Sequence, residues 1–346
     1  MKSDQHHEQF DQHSTIIAPD LRPADYFPLS HGLYEVKPGL QPLNADFGNG
    51  LQDKRLFQID QDFAQYRQAK LTARAENREK YYQTQEFSLA MQRELTSFMA
   101  WRLTRDYPDW FHYKQHDGNH FQLECRLTGE LLLFDCDFAL TQVKTNDTRP
   151  TPNYASSLDA MACQIQEDLA LVSLDENGKN WLSAIHLCYP NYWGAQDKIG
   201  RDFASIHDPV AGIETINRNA SNIVQAMIHK GPFVRFSWGL ATDARLNHHP
   251  DAPSGEDAAE WYGRAFDPAQ GNLFLRVERQ TIFGFPEINS ALFTIRTYVS
   301  DCREIKKDQS KNAALRSAIH SMTEASLVYK GLVDQKQEIL DWLKQE

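Results

Sequence analysis

Long apolar runs are missing from this chain. No stretch approaches the roughly 18 residues that a membrane-spanning helix needs, and the amino terminus, MKSDQHHEQFDQHST, lacks the charged-then-apolar pattern of a secretory signal. Cysteine is scarce and odd in number: Cys125, Cys136, Cys163, Cys188 and Cys302, with no C-x-x-C pair. That argues against a disulfide framework and a thiolate zinc centre, and makes the cytoplasm the expected location. Positive charge is also short, with 36 Lys and Arg against 47 Asp and Glu and a formal net charge of −11. With no basic run to neutralise phosphates, a nucleic-acid binder is not expected. The G-x-S-x-G elbow, the G-x-x-x-x-G-K-[ST] and G-x-G-x-x-G phosphate loops and the H-E-x-x-H zinc helix are all absent.

What is present is the composition of a globular protein. Hydrophobic residues make up 41% of the 346, and 7 Trp, 13 Tyr and 19 Phe supply bulk for a large core. Residues 1–25 are polar, carry His6, His7 and His13, and read as a disordered tail. Residues 26–160 read as an N-terminal α+β region wrapping the core. It opens with an extended arm (27–49), followed by helices over about 61–83 and over EFSLAMQRELTSFMAWRLTRDYPDW, then strand-like sequence over 118–138.

Residues 161–300 form the expected central domain. DLALVSLDENG is an apolar run closed by Asn177-Gly178, and WLSAIHLCYP is its hairpin partner. ETINRNASNIVQAMIHKG predicts one helix capped by Gly231. Strands over 233–240, 273–283 and 291–299 follow, with a turn at 286–289, and residues 301–346 predict a long amphipathic helix. The fold class is therefore α+β. Two strands, small helices, one longer helix and three strands is the order of a PAS-like antiparallel sheet with inserted helices.

Strand alternation sorts the arginines. In FVRFSWGL, Val234, Phe236, Trp238 and Leu240 share a face and Arg235 and Ser237 point away. In LFLRVERQT, Arg279 continues the apolar row of Leu273, Leu275 and Val277, where a buried guanidinium needs a partner. Arg276 and Glu278 take the opposite face, and Arg296 lies in the last strand. Several arginines on one sheet can hold an anionic ligand through paired hydrogen bonds, and a cross-strand ladder with Glu278 explains them equally well. Among the histidines, His186 reads as a packed strand residue. His248 and His249 are adjacent, and neighbours rarely reach one metal together. His207, in KIGRDFASIHDPVAGIE, lies between the hairpin and the longer helix, where a ligand cavity would open.

Four blocks, IQEDLALV (165–172), CYPNYWGAQDKIGRDFASIHDPVAG (188–212), VRFSWGLATD (234–243) and LRVERQTIFGFPEINSALFTIRTYV (275–299), resemble the DUF3445 family. That family includes the catalytic subunit of haem-dependent oxidative N-demethylase, and the likeness extends more loosely from about residue 25 to 300. The resemblance implies one b-type haem with a histidine ligand. It also implies O2- and NAD(P)H-dependent removal of a methyl group from a secondary amine such as dimethylamine, with release of formaldehyde. Electrons would come from flavin and iron–sulfur reductase subunits.

By block position, His207 is the expected iron ligand, with His248 and His249 as alternatives. Arg279 foremost, with Arg276, Arg235 and Arg201, is expected at the haem carboxylates, and Trp238 beside the cofactor. Glu167 and Asp168 are candidates for binding the ammonium form of the amine, with capping of a helix or hairpin as the plainer role. Where relatives often have basic residues, Phe283-Gly284-Phe285 is apolar, in what reads as a turn open to a partner or to the cofactor edge. The rival readings are a haem or gas sensor of PAS type, and a haem-free structural relative.

Overall fold

A computed structural model describes residues 19–116, 120–145, 151–263 and 265–345. The tail histidines His6, His7 and His13 lie outside the described residues. The arm lies over the core and supplies β1 (Gln41–Pro42). Helices α1 (Phe63–Tyr81) and α2 (Leu89–Asp106) flank a short β2 (Tyr82–Thr84). Then come β3 (Phe111–His116), β4 (His120–Cys125), β5 (Glu130–Phe134), β6 (Leu140–Thr145) and α3 (Ser157–Ala162). The hairpin β7 (Asp168–Leu174) and β8 (Asn180–His186) leads into α4 (Phe203–His207), α5 (Glu214–Arg218) and α6 (Ala220–His229). Strand β9 (Phe233–Ala241), α7 (Ala258–Tyr262), β10 (Phe274–Phe285) and β11 (Ser290–Asp301) follow. The chain closes on α8 (Cys302–Lys307), α9 (Gln309–Ser321), α10 (Glu324–Lys330) and α11 (Lys336–Lys344).

Two antiparallel sheets result, one of four strands in the order β3-β4-β5-β6 and one of seven in the order β1-β9-β10-β11-β7-β8-β2. The larger sheet thus draws edge strands from the N-terminal region. Its hairpin turn forms as the Asn-Gly signal requires: Gly178 takes φ +84°, and Asp175 Oδ1 accepts from the Asn177 and Lys179 amides.

Both faces of the large sheet are covered. On one, Val172, Leu182, Ile185, Ile282 and Ala291 pack with Val224, Met227 and Ile228 of α6, and with Phe203 and Ile206 of α4. On the other, Leu275, Val277 and Tyr298 pack with α9 and α11, and Leu169, Leu171 and Leu292 with α2 and the small sheet. Helix α1 pins the segment entering β7 through three residues on one helical face: Arg67 bonds Glu130 and the Cys163 carbonyl, Lys70 bonds the Ala162 and Glu167 carbonyls, and Arg74 forks onto Asp159. Among the described residues no helix is long and apolar enough to cross a membrane.

Three local expectations change. The helix expected over the segment ending at Gly231 breaks at Asn219 into α5 and α6, and its last turn closes on Lys230, whose amide donates to the Ala226 carbonyl, while Gly231 does not take the left-handed conformation of a glycine cap. The single C-terminal helix is four. Asp308 and Thr323 each cap a new start, accepting backbone N–H groups with their side chains, and Gly331 ends α10 in the left-handed region. Breaking there lets short apolar faces bend round the sheet. Phe283-Gly284-Phe285 is no turn but the end of β10, with both phenylalanine rings packed on Phe98 of α2 at 4.3 and 5.0 Å.

Candidate functional site

His207 ends α4, a helix started by Asp202, whose carboxylate accepts the Ala204 and Ser205 amides at 3.0 and 3.1 Å. One turn back, the Phe203 carbonyl lies 2.7 Å from His207 Nδ1. A carbonyl only accepts, so Nδ1 carries the proton and the neutral ring presents a bare Nε2. Burial, with Lys198 and Arg235 nearby, pushes this imidazole down to about 4, against a partial pull back from the Phe203 carbonyl. The ring packs on Phe203 with centroids 4.4 Å apart.

Among the described residues, the cations around it have no carboxylate in hydrogen-bond contact. Lys198 Nζ donates to the Ile206 carbonyl at 2.9 Å and lies 4.6 Å from the Trp193 ring centre. Burial pushes its ammonium down to about 8, and Asp197 and Glu278 pull it back up. Arg235 reaches the Lys37 carbonyl at 3.4 Å, and its buried Nε has no hydrogen-bond partner. Burial lowers its pKa too, offset by Glu278. Arg201 is exposed and adds positive charge near Lys198.

Cross-strand register puts Arg235, Ser237 and Gly239 of β9 beside Gln280, Glu278 and Arg276 of β10. Alternation therefore gives them one face, the one that α4 and α6 cover. Arg276 is 1% exposed and donates from Nη1 and Nη2 to the Leu246 and Tyr189 carbonyls and the Thr297 hydroxyl, while its buried Nε has no hydrogen-bond partner. Beyond His207, Pro209 and Ala211 form one wall of an open cavity of about 560 Å³, with Glu324, Ala325, Val328 and Tyr329 of α10 opposite.

Other expected residues stand apart. Arg279 is on the opposite face, fully buried, donating to the Asp53 and Arg55 carbonyls at 3.0 and 2.8 Å, with Nε and Nη1 unpartnered. Trp238 shares that face, edge-on to Tyr34 at 5.7 Å. Glu167 is wholly buried; one oxygen accepts the Gln58 amide, and burial raises its pKa against the pull of Arg296 and Arg279. Asp168 spends its two oxygens on the Cys188 and Tyr189 amides at 2.8 Å each, yet burial still lifts it to about 6. The structure therefore brings His207, Arg235, Arg201 and Arg276 to one side of the sheet, and Arg279, Trp238 and Glu167 to the other.

His248 is buried, bonded through Nε2 to Asp243 at 2.8 Å and stacked on Tyr192. His249 is buried as well, with Nδ1 accepting the Asp251 amide at 3.0 Å. His186, packed as expected, bridges Asp159 at 3.2 Å and Cys188 at 3.8 Å. Asp159, Cys163 and His186, and likewise Asp168, His186 and Cys188, hold ligand atoms within 4.8 Å of one another. Those carboxylates are already spent on Arg74 and on backbone amides, with the Lys70 ammonium close by, so both groups read as packed polar core.

Lys198 was invisible to sequence reasoning as a site residue. It lies in a turn brought back to β8 by the Gly200 amide on the Leu182 carbonyl and the Leu182 amide on the Arg201 carbonyl, a contact that no periodicity signals. Glu278 was legible only as an ion-ladder partner. The sequence from residue 49 to 340, most of the chain and all of this site, matches the family described as haem-dependent oxidative N-demethylase, alpha subunit-like, and the chain belongs to that family.

Proposed function

We propose that the chain is the haem-binding oxygenase subunit of an amine-demethylating system. Its larger sheet would be a PAS-like core, and His207 the iron ligand. The observation that carries this reading is the His207 ring, with Nδ1 held by a backbone carbonyl, a bare Nε2, and an environment that keeps it neutral. Metal-bound histidines share this arrangement, because the second hydrogen bond fixes the tautomer and raises ligand basicity. The PAS-like assignment is supported by the order β8-β7-β11-β10-β9 within the larger sheet and by the helices inserted after β8.

The residues present fit a haem. Arg235 and Lys198, with Arg201 at the rim, are cations lacking close carboxylate partners and suit its two carboxylates. Phe203, Ile206, Ile223 and Phe233 supply apolar surface for the macrocycle. Arg276 holds the carbonyls that shape the wall, and Arg279 ties the segment between the arm and α1 to the back of the sheet. Bound haem would supply dioxygen activation for attack on the C–H bond beside an amine nitrogen, with the basicity of the His207 imidazole tuning that chemistry. What the chain itself contributes is a fixed imidazole, positive charge for the carboxylates, and an apolar enclosure that excludes water.

The substrate we assign is a secondary amine of dimethylamine type, converted in the cytoplasm to a primary amine and formaldehyde. Electrons would come from NAD(P)H through separate flavin and iron–sulfur subunits. The test is formaldehyde release. Haem-loaded protein with a chemical reductant and O2 should form formaldehyde from dimethylamine, and His207→Ala should lose it together with the haem. Haem-loaded protein that consumes O2 without forming formaldehyde from any secondary amine would contradict the assignment.

A further inference from the structure

We infer that Glu278 is the carboxylate that receives the protonated amine, an inference that rests on the amine-oxidising reading above. An aliphatic secondary amine is an ammonium ion at neutral pH and carries two N–H donors, so its tightest natural partner is a carboxylate held short of full hydrogen bonding. Glu278 meets that description. It stands mid-strand on the face that also carries Arg235, opposite Ser237 on β9 and Thr297 on β11, with Gly239 one step further along β9. Small neighbours on both strands leave the carboxylate uncovered from the sheet side.

Its hydrogen bonding is incomplete. Oε2 accepts from the Gln280 side-chain Nε2 at 3.0 Å, and Oε1 lies 3.7 Å from Arg276 Nε. That guanidinium is committed to two carbonyls and a hydroxyl. Lys198 and Arg235 feel the charge of Glu278 but direct their hydrogen bonds to the Ile206 and Lys37 carbonyls. Both also lie within electrostatic reach of His207, so the three side chains of this wall and the imidazole share one field. With a dicarboxylate cofactor paired to the cations, Glu278 would remain as a negative charge on the strand face of the wall, with Asp197 and Asp208 on the helix side.

Glu167 and Asp168 fit this role less well. The first lies on the other face and is wholly buried, and the second has both oxygens taken by backbone amides. Glu278 keeps its side chain 15% exposed, whereas Glu167 and Asp168 are closed off from solvent.

The experiment is calorimetric titration of dimethylammonium chloride into the full haem-loaded chain and its Glu278→Gln variant, with the Soret band recorded on the same samples. The amide is nearly isosteric, so the Soret band should hold, while the thermal midpoint of the haem-free chain should fall because Glu278 offsets the burial of Lys198 and Arg235. Binding should weaken about 10- to 100-fold, the loss of one charge-assisted contact, with KM rising and kcat little changed, and Glu278→Asp should recover part of the affinity. If E278Q keeps its Soret band and binds dimethylammonium as tightly as the parent, or the haem-loaded parent binds none, Glu278 does not hold the amine and the haem assignment stands. A parent chain with no Soret band after reconstitution overturns the haem reading, and the inference falls with it.

Discussion

Lys198 is the residue whose energetics and proposed role conflict most openly. Its ammonium titrates near 10.5 in the unfolded chain and about 8 in the fold. The unfolded chain therefore binds more protons between those values, and this group's contribution to stability rises with pH across that window. Below pH 8 the whole penalty is present, on the order of 3 kcal/mol before the chain relaxes. Lys198→Met should therefore raise the stability of the haem-free protein at pH 7 by about 1–2 kcal/mol, a gain that shrinks as pH climbs past 8. Urea unfolding at pH 7 and pH 9.5 checks this. The same variant should bind haem more weakly, since it removes a cation from the site. Greater stability joined to unchanged haem affinity would show that Lys198 serves neither carboxylate.

At the scale of elements, the contact that holds the site together is α6 against β10. Gly284 is needed there because a Cβ would stand 2.0 Å from the Ile228 carbonyl oxygen and 2.7 Å from that of Met227. Gly284→Ala should cost about 3 kcal/mol by pushing α6 off the sheet. Because α6 covers the same face as His207, haem retention should fall along with the urea midpoint. An unfolding free energy within about 0.5 kcal/mol of the parent would mean that the helix end yields without loss.

The element scale is also where legibility divides. Strands β7 to β11 and the two faces of β9 and β10 follow from period-two patterning, which sorts Arg235 and Arg276 from Arg279 without any structure. The Asn-Gly hairpin is equally local. The breaks at Asn219, Asp308 and Gly331 are not, because they answer to how short apolar faces meet the sheet. Neither is Gly284, which reads as part of a turn until α6 is seen to press on it. His207 itself has no motif. Only block resemblance singles it out, and its hydrogen bond to the Phe203 carbonyl is visible only in the fold.

For the whole molecule, a seven-stranded sheet, closed on one face by α9, α11, α2 and the small sheet, faces α4 and α6 on the other. Arm and C-terminal helices converge where Tyr34 meets Trp238 and Lys330 Nζ donates to the Trp238 carbonyl at 2.9 Å, beside the cavity that follows His207. The proposed function puts one haem on the side of the sheet that carries His207. The deciding measurement is the visible spectrum of the purified protein reconstituted with haem, recorded oxidised, reduced, and reduced with CO, for the parent and for His207→Ala. We expect a stoichiometric Soret band in the parent that shifts on reduction and again on CO, and its loss or displacement in the variant. A parent with no band, or a variant with full haem content and an unchanged spectrum, would contradict the assignment of His207 as the iron ligand.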